Sequence, residues 1–272
     1  MPDPIEALVD LDQFPLHAPG SAAYQALVSA AREDWRTRGA FRLPQLLRTE
    51  VARNAAAELE PRFACHAFRH RRSHNIYFDD DMADLPADLL DHRLVTSHRT
   101  LTCDQLNGTI IRSVYEWDPL CEFLRRVLDL PELFRVADPM ARLNVMAYAD
   151  GDELGWHFDR AEFAVTLLLK GADTGGHFEY RRNLRTLSDP NVEGVRRLLV
   201  GADPEVRQAR SSPGTMTVFS GSCSAHRVSR VTGTSARIMA VLSFMEQPDH
   251  HYAPADRLRF YGRSSPDEAL TD

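Results

Sequence analysis

A chain of 272 residues with 43% hydrophobic and 26% charged residues has the make-up of a soluble globular protein and enough length for one large core. It contains no apolar run near the length of a bilayer span. Its start, Met1-Pro2-Asp3-Pro4-Ile5-Glu6, lacks the basic and apolar regions of a secretory signal, so a cytoplasmic protein with no membrane partner is expected. A formal net charge of −7 argues against nucleic acid as a partner, because phosphate binding calls for a basic surface.

In chain order, Leu27, Val28, Ala31 and Trp35 recur at helical spacing and predict a helix over 22–37, with a strand at 39–44. Thr49 is the expected cap of a helix over 50–59. The basic run His70-Arg71-Arg72 is followed by Asp79-Asp80-Asp81, a pattern of solvated loop. A further helix is expected over 103–115, with Asp104 near its start. Asp118-Pro119 opens another, whose core face is Leu120, Phe123, Leu124, Val127 and Leu128. The first half, 1–140, therefore reads as mainly helical support. Cys65, Cys103, Cys121 and Cys223 lack Cys-x-x-Cys spacing and read as reduced thiols.

Strand signals dominate from 141 to 244. The apolar run 163–169 is β-prone, Gly175-Gly176-His177-Phe178-Glu179-Tyr180 reads as a turn entering a strand, and Pro213-Gly214 precedes another over 215–219. The stretch 183–210 reads as an insertion with a short helix over 191–199, a long connection of the kind that serves as a lid. Helices on one side of an antiparallel sheet make an α+β fold.

Within this half, His157-Phe158-Asp159 and His226 have the composition of a three-ligand iron site. Side chains two apart on a strand share a face, so His157 and Asp159 reach one ion while Phe158 turns into packing. Two imidazoles and a carboxylate on one face of Fe(II) leave the opposite positions open for chemistry. After His226 the chain has room to turn at Thr232-Gly233-Thr234 and return antiparallel beside it, which brings Arg237 near the metal. A guanidinium there suits the distal carboxylate of a small dicarboxylate that chelates the iron.

The run from Tyr148 to Asp159, with Gly151, Leu154 and His157 between, resembles the Tyr-x-x-Gly-x-x-Leu-x-x-His-x-Asp segment of prolyl-hydroxylase-like and alkylation-repair-like oxygenases. With His226 and Arg237 it resembles the iron(II)/2-oxoglutarate-dependent oxygenase superfamily. That resemblance implies a single domain over 1–272, with a double-stranded β-helix core of jelly-roll, cupin-like type over 141–246 and a tail over 247–272 closing the site. It implies Fe(II), 2-oxoglutarate as cosubstrate and O2, with Tyr148 reaching the 2-oxoglutarate.

Further matches are Arg72-Ser73-His74-Asn75-Ile76-Tyr77-Phe78, Cys103-Asp104-Gln105-Leu106, Tyr115-Glu116-Trp117-Asp118-Pro119-Leu120, His226-Arg227-Val228-Ser229 and Phe260-Tyr261-Gly262-Arg263. In these the chain is similar to the bacterial family of free-amino-acid radical halogenases, such as lysine halogenases, and their hydroxylase relatives. Halogenases of that family carry glycine or alanine in place of the carboxylate ligand, which opens a position for chloride. Here Asp159 is kept, so the resemblance implies hydroxylation of an unactivated C–H bond in a free amino acid or amino-acid-like small molecule, with release of succinate and CO2. Such chemistry belongs to secondary metabolism.

The same resemblance makes Arg72 a candidate for the substrate carboxylate, against the competing reading of an exposed arginine. Arg160 would repel an ammonium side chain, which points to a neutral or acidic substrate side chain. Ser243 and Tyr261 are candidate pocket residues; Trp156 is expected in packing, and His74, His177 and Cys223 in structural or wall positions. Desaturation, epoxidation or cyclisation at the same iron, and a catalytically silent metal- or ligand-binding module, are the alternatives. A homodimer is compatible with the sequence.

Overall fold

The computed structural model describes residues 4–78, 85–186 and 188–270. Its elements are α1 (Ile5–Leu8), α2 (Ala22–Arg38), β1 (Ala40–Leu43), α3 (Thr49–His66), β2 (Phe68–His74), α4 (Ala87–Asp91) and β3 (Leu94–Thr102). A 3-10 turn (Cys103–Leu106) leads to α5 (Ile110–Glu116), α6 (Asp118–Leu128) and β4 (Phe134–Arg135). Then come β5 (Leu143–Tyr148), β6 (Glu153–His157), β7 (Ala164–Lys170), β8 (Phe178–Arg181), α7 (Val192–Leu199), β9 (Arg207–Ala209), β10 (Met216–Phe219), β11 (Ala225–Val228), β12 (Arg237–Leu242), β13 (Phe244–Met245) and α8 (Pro254–Tyr261). Asp79, Asp80 and Asp81 lie outside the described residues.

The strands from β5 onward wind as a double-stranded β-helix. One four-stranded antiparallel group runs β10-β7-β12-β5, with β1 on its β10 edge, and a second runs β6-β11-β8-β9. Strand β3 joins them, pairing with β5 through Arg99–Ala147 to Thr102–Asn144 and with β6 through Thr96–Leu154 and Ser97–Glu153. At the corner between β5 and β6 the buried Asp152 accepts hydrogen bonds from Arg69 (2.6 and 2.7 Å), the Ser97 hydroxyl (2.8 Å) and the Ala149 amide (3.0 Å). Burial alone would raise its pKa, but these donors outweigh it and hold the carboxyl below the usual range.

The helical layer covers the outer face of the first group. Val165, Leu167, Leu169, Val218, Ala240 and Leu242 join one core with Val28, Ala55, Leu59 and Phe123. Each buried valine, leucine or phenylalanine among them contributes about 1.5–3 kcal/mol. Helix α2 starts where Ser21 Oγ accepts from the Tyr24 amide and ends at Gly39, in the left-handed region at φ 64°. Its Tyr24 and the Phe41 of β1 both meet Phe123 of α6 edge-on, at 6.2 Å. Among the described residues no helix is long and apolar enough to cross a membrane, and all four cysteines are free thiols.

Several elements depart from the sequence expectation. Thr49 is the first helical residue and not the cap, its hydroxyl accepting instead from Gln45 Nε2 at 3.2 Å, and α3 runs past 59 through Pro61 to His66. The predicted helix over 103–115 breaks at Asn107 and Gly108, where the backbone of Gly108 turns left-handed at φ 73°. Besides the expected β1, the N-terminal half supplies strands β2, β3 and β4 as well as helices, and the run His70-Arg71-Arg72, expected in a solvated loop, lies within β2. The stretch 183–210 holds α7 as expected and also β9, the outer strand of the second group. Finally, β12 does not return beside β11: it crosses to the other group and pairs with β5 and β7, while β11 lies between β6 and β8.

Candidate active site

The end of β6 and the middle of β11 are paired so that His157 and His226 stand opposite each other. Such cross-strand neighbours are close enough for both imidazoles to serve one ion. Asp159, two residues past His157, places Oδ1 3.4 Å from Nε2 of each histidine. One donor atom from each of the three lies within 4.8 Å of the others. In both rings Nδ1 faces a backbone carbonyl two residues earlier, Gly155 O at 2.9 Å and Ser224 O at 3.0 Å. With Nδ1–H donated to the backbone, each ring turns Nε2 towards the space it shares with Asp159, the orientation a metal ligand needs. Burial opposes the Asp159 charge, yet His226 and His157 beside it hold the carboxyl well below its usual range. Phe158 points the other way, stacked on Tyr77 at 5.7 Å with the Arg185 guanidinium 4.0 Å from its ring centre.

Arg237 stands at the start of β12, in the other group of strands, where it is buried and in register with Tyr148 of β5. Arg237 Nε is buried with no hydrogen-bond partner, and Nη2 meets only the Met239 sulfur at 3.5 Å. Among the described residues it forms no ion pair. Burial pulls its pKa down, with Tyr148 acting in the opposite direction. A buried, uncompensated guanidinium is costly, and a carboxylate ligand removes that cost. These features fit iron with a dicarboxylate cosubstrate: His157, Asp159 and His226 as ligands, Arg237 and the Tyr148 hydroxyl for the distal acid.

A cavity of about 610 Å³ opens beside His157 and Asp159, walled by β2, β3, β5 and the C-terminal segment. Arg72 lines it rather than the outer surface. Its guanidinium lies over Phe78 (4.1 Å) and Phe260 (5.1 Å), and Nε and Nη1 are buried without a partner. Burial, then repulsion from Arg259 and Arg160, lowers its pKa to about 10. Arg160 sits exposed at the rim, 3.6 Å from Asp256. Ser243 lines the cavity, but its hydroxyl donates to Ala141 O at 3.0 Å. Tyr261 is buried in the wall, its hydroxyl donating to Asn144 Oδ1 at 3.0 Å.

Trp156 packs on the far side of β6 with Ile76 and Leu89. His74 is a buried structural histidine, its nitrogens engaged by Asn75 O and Thr96 Oγ1 at 2.7 Å. His177 is exposed, and Cys223 lies half-buried beside Ser222. The cavity also contains a stacked imidazole pair that the sequence reading did not single out, His70 and His98, with centroids 4.9 Å apart. Burial is the main cause that lowers both pKa values, to about 4 and about 3. His98 also neighbours the Tyr148 ring at 5.4 Å, so the pair spans from the Arg237 end towards Arg72.

This fold is that of the 2-oxoglutarate and iron oxygenases. The chain resembles the non-heme alpha ketoglutarate dependent epimerase SnoN from nogalamycin biosynthesis, with TM-score 0.57, 13% identity, and 81% of this chain and 84% of that chain covered. HygX from Streptomyces hygroscopicus, solved with nickel and 2-oxoglutarate bound, gives TM-score 0.54 and 12% identity over 79% and 85% of the two chains. AviO1 from Streptomyces viridochromogenes Tue57 gives 0.53 and 17% over 82% and 96%. At such identities the likeness is one of fold. No curated protein sequence matches this chain significantly. The Halogenase D family model matches residues 23–257, and the chain belongs to that family.

Proposed function

We propose that the protein is an Fe(II)/2-oxoglutarate-dependent dioxygenase that hydroxylates an unactivated C–H bond of a small carboxylate metabolite, an amino acid or a close analogue. The observation that carries this reading is the pairing of a His157–Asp159–His226 cluster with a buried Arg237 that lacks any carboxylate partner among the described residues. The three ligands would hold iron, which when bound together with 2-oxoglutarate supplies the activation of O2, with succinate and CO2 as by-products. Arg237 and Tyr148 would fix the distal carboxylate, so that the keto acid end faces the three ligands. Arg72 would hold the substrate carboxylate, and the walls from Phe78 and Phe260 would exclude water and set which carbon faces the metal.

Halogenation, the activity in the family's description, needs a place for a halide beside the two histidines. In this chain the Asp159 carboxylate stands there, 3.4 Å from both Nε2 atoms. That favours return of hydroxyl over halide. Relatives of the same fold include proteins described as an epimerase and a carbocyclase, so the outcome is decided by product mass. The test is succinate release by Fe(II)-loaded protein across a panel of free amino acids and related acids, with chloride present. A product heavier by one oxygen supports the proposal; a chlorinated product, or no substrate-dependent succinate across the panel, overturns it. Turnover restricted to lysine or ornithine would overturn the neutral or acidic side chain that Arg160 favours.

A further inference from the structure

Gly221 lies in the segment between β10 and β11, and its carbonyl accepts the backbone N–H of Asp159 at 3.0 Å. A β-carbon built on Gly221 would lie 2.0 Å from Asp159 Oδ2, 2.7 Å from Cγ and 2.8 Å from Cβ. No other residue type fits there while Asp159 keeps its present position. The backbone at Gly221 is not in the left-handed region, so the demand for glycine comes from this contact alone.

The segment that carries Gly221 is fixed along its length. Ser220 N donates to Gly39 O at 2.8 Å, Arg185 Nε donates to Ser222 O at 2.8 Å, and Arg185 N donates to Cys223 O at 3.2 Å. Asn183 N donates to Ser224 Oγ at 3.1 Å, and Ser224 O receives the Nδ1–H of His226 at 3.0 Å. The same Arg185 lies over Phe158, the residue between the two ligands of the β6 end. A side chain added at 221 therefore meets an anchored backbone on its own side and a rotatable carboxylate on the other. The carboxylate is the part free to give way: rotation about the Asp159 side chain clears Oδ2 and Cγ, and the Cβ contact then pushes the two segments apart by a few tenths of an ångström.

We propose that Gly221 is a positioning residue for the metal centre: the missing side chain is what seats the Asp159 carboxylate between His157 and His226. This rests on the iron reading of the cluster. It assigns the segment 220–224 a second task besides carrying His226, that of backing the carboxylate ligand from behind.

The test is Gly221→Ala, alone and combined with Asp159→Gly, read by equilibrium binding of Fe(II) under anaerobic conditions and of Co(II), and by a crystal structure of metal-free Gly221→Ala. Gly221→Ala is expected to weaken metal binding by about 10–100-fold, the usual effect of disturbing a ligand's support. In the Asp159→Gly background the same change should alter affinity less than about twofold, because the group it acts through is gone. In the crystal structure, the Asp159 carboxylate should have left the two Nε2 atoms while segment 220–224 keeps its hydrogen bonds. Wild-type affinity in Gly221→Ala, an undiminished loss in the Asp159→Gly background, or an unmoved Asp159 with a displaced segment would each overturn the proposal. Failure of the wild-type protein to bind either metal would instead overturn the iron reading, and the metal-free structure would still decide what Gly221 does to Asp159.

Discussion

Arg237 and Tyr148 face each other across the β12–β5 pair, and the only hydrogen bonds their side chains make among the described residues are to thioether sulfurs, those of Met239 and Met146, at 3.5 Å. Sulfur is a weak acceptor, so two strong donors are held ready for a better partner. Arg237→Ala is expected to raise the 2-oxoglutarate Kd by on the order of a hundredfold or more, the effect of removing one member of a buried pair worth about 3–5 kcal/mol. Arg237→Lys should recover part of it, since a point charge cannot donate as a fork. Metal affinity should stay within about twofold in both, which titration of each ligand separately would check.

Arg72 gives the second prediction. Its unpartnered Nε and Nη1 inside the cavity are suited to a carboxylate, and charge-assisted hydrogen bonds of this kind contribute about 1.5–3 kcal/mol. Arg72→Ala should raise substrate KM by about 10–100-fold and leave the 2-oxoglutarate Kd unchanged. Equal losses for both ligands would show that the residue shapes the cavity as a whole and does not grip one molecule.

What the sequence made legible was whatever hydrophobic alternation or a fixed spacing records. The His157–Asp159 pair, α2, α6 and β7 belong to that class. Strands β2 and β3 do not: their sequences, Phe-Arg-His-Arg-Arg-Ser-His and Leu-Val-Thr-Ser-His-Arg-Thr-Leu-Thr, bury the polar side chains of His70, Thr96, His98 and Thr100 along the cavity wall. A period-2 search for apolar residues therefore misses them, and with them the His70–His98 stack. The placement of Arg237 shows a related limit. Its burial beside Tyr148 follows from pairing that the sequence does not record: strands that follow each other need not pair, and β12 joins β5 and β7 instead of β11. Nothing in the sequence marks Gly221; its contact with Asp159 is a tertiary fact.

The buried histidines set the pH response. His74 has its pKa lowered to about 4, mainly by burial, and His70 likewise. In the unfolded chain both titrate near the ordinary 6.5, so between about pH 6.5 and 4 the unfolded state binds more protons than the folded one. Stability must then fall as pH drops through that window. Thermal melts of the metal-free protein from pH 7.5 to 4.5 should show a falling Tm, with a shallower slope in His74→Gln, whose amide can still meet Asn75 O and Thr96. An unchanged slope would show that His74 is protonated in the folded protein.

Asp138 supplies the last prediction, because it ties the C-terminal segment to the cavity. It is fully buried and accepts from the amides of Met140 and Ala141 (2.9 Å each), the amide of Tyr252 (3.0 Å) and Arg257 Nε (2.8 Å). Burial raises its pKa, the three amides and Arg257 lower it, and the balance lies below the usual carboxylate range. Its contribution is thus complete above about pH 4 and disappears only as the pH falls through its depressed folded value, a window separate from that of the histidines. Asp138→Asn replaces one acceptor oxygen by a donor and leaves Arg257 of α8 without its counter-charge, an effect of about 3–5 kcal/mol for a buried pair. Since Tyr252, Phe260 and Tyr261 of that segment wall the cavity, the loss should appear in two places at once. Proteolysis within 250–265 should accelerate, and substrate KM should rise while the affinities for metal and 2-oxoglutarate, set by residues of the β-helix itself, hold. A uniform loss of all three affinities would mean that Asp138 supports the whole fold and not the closing segment.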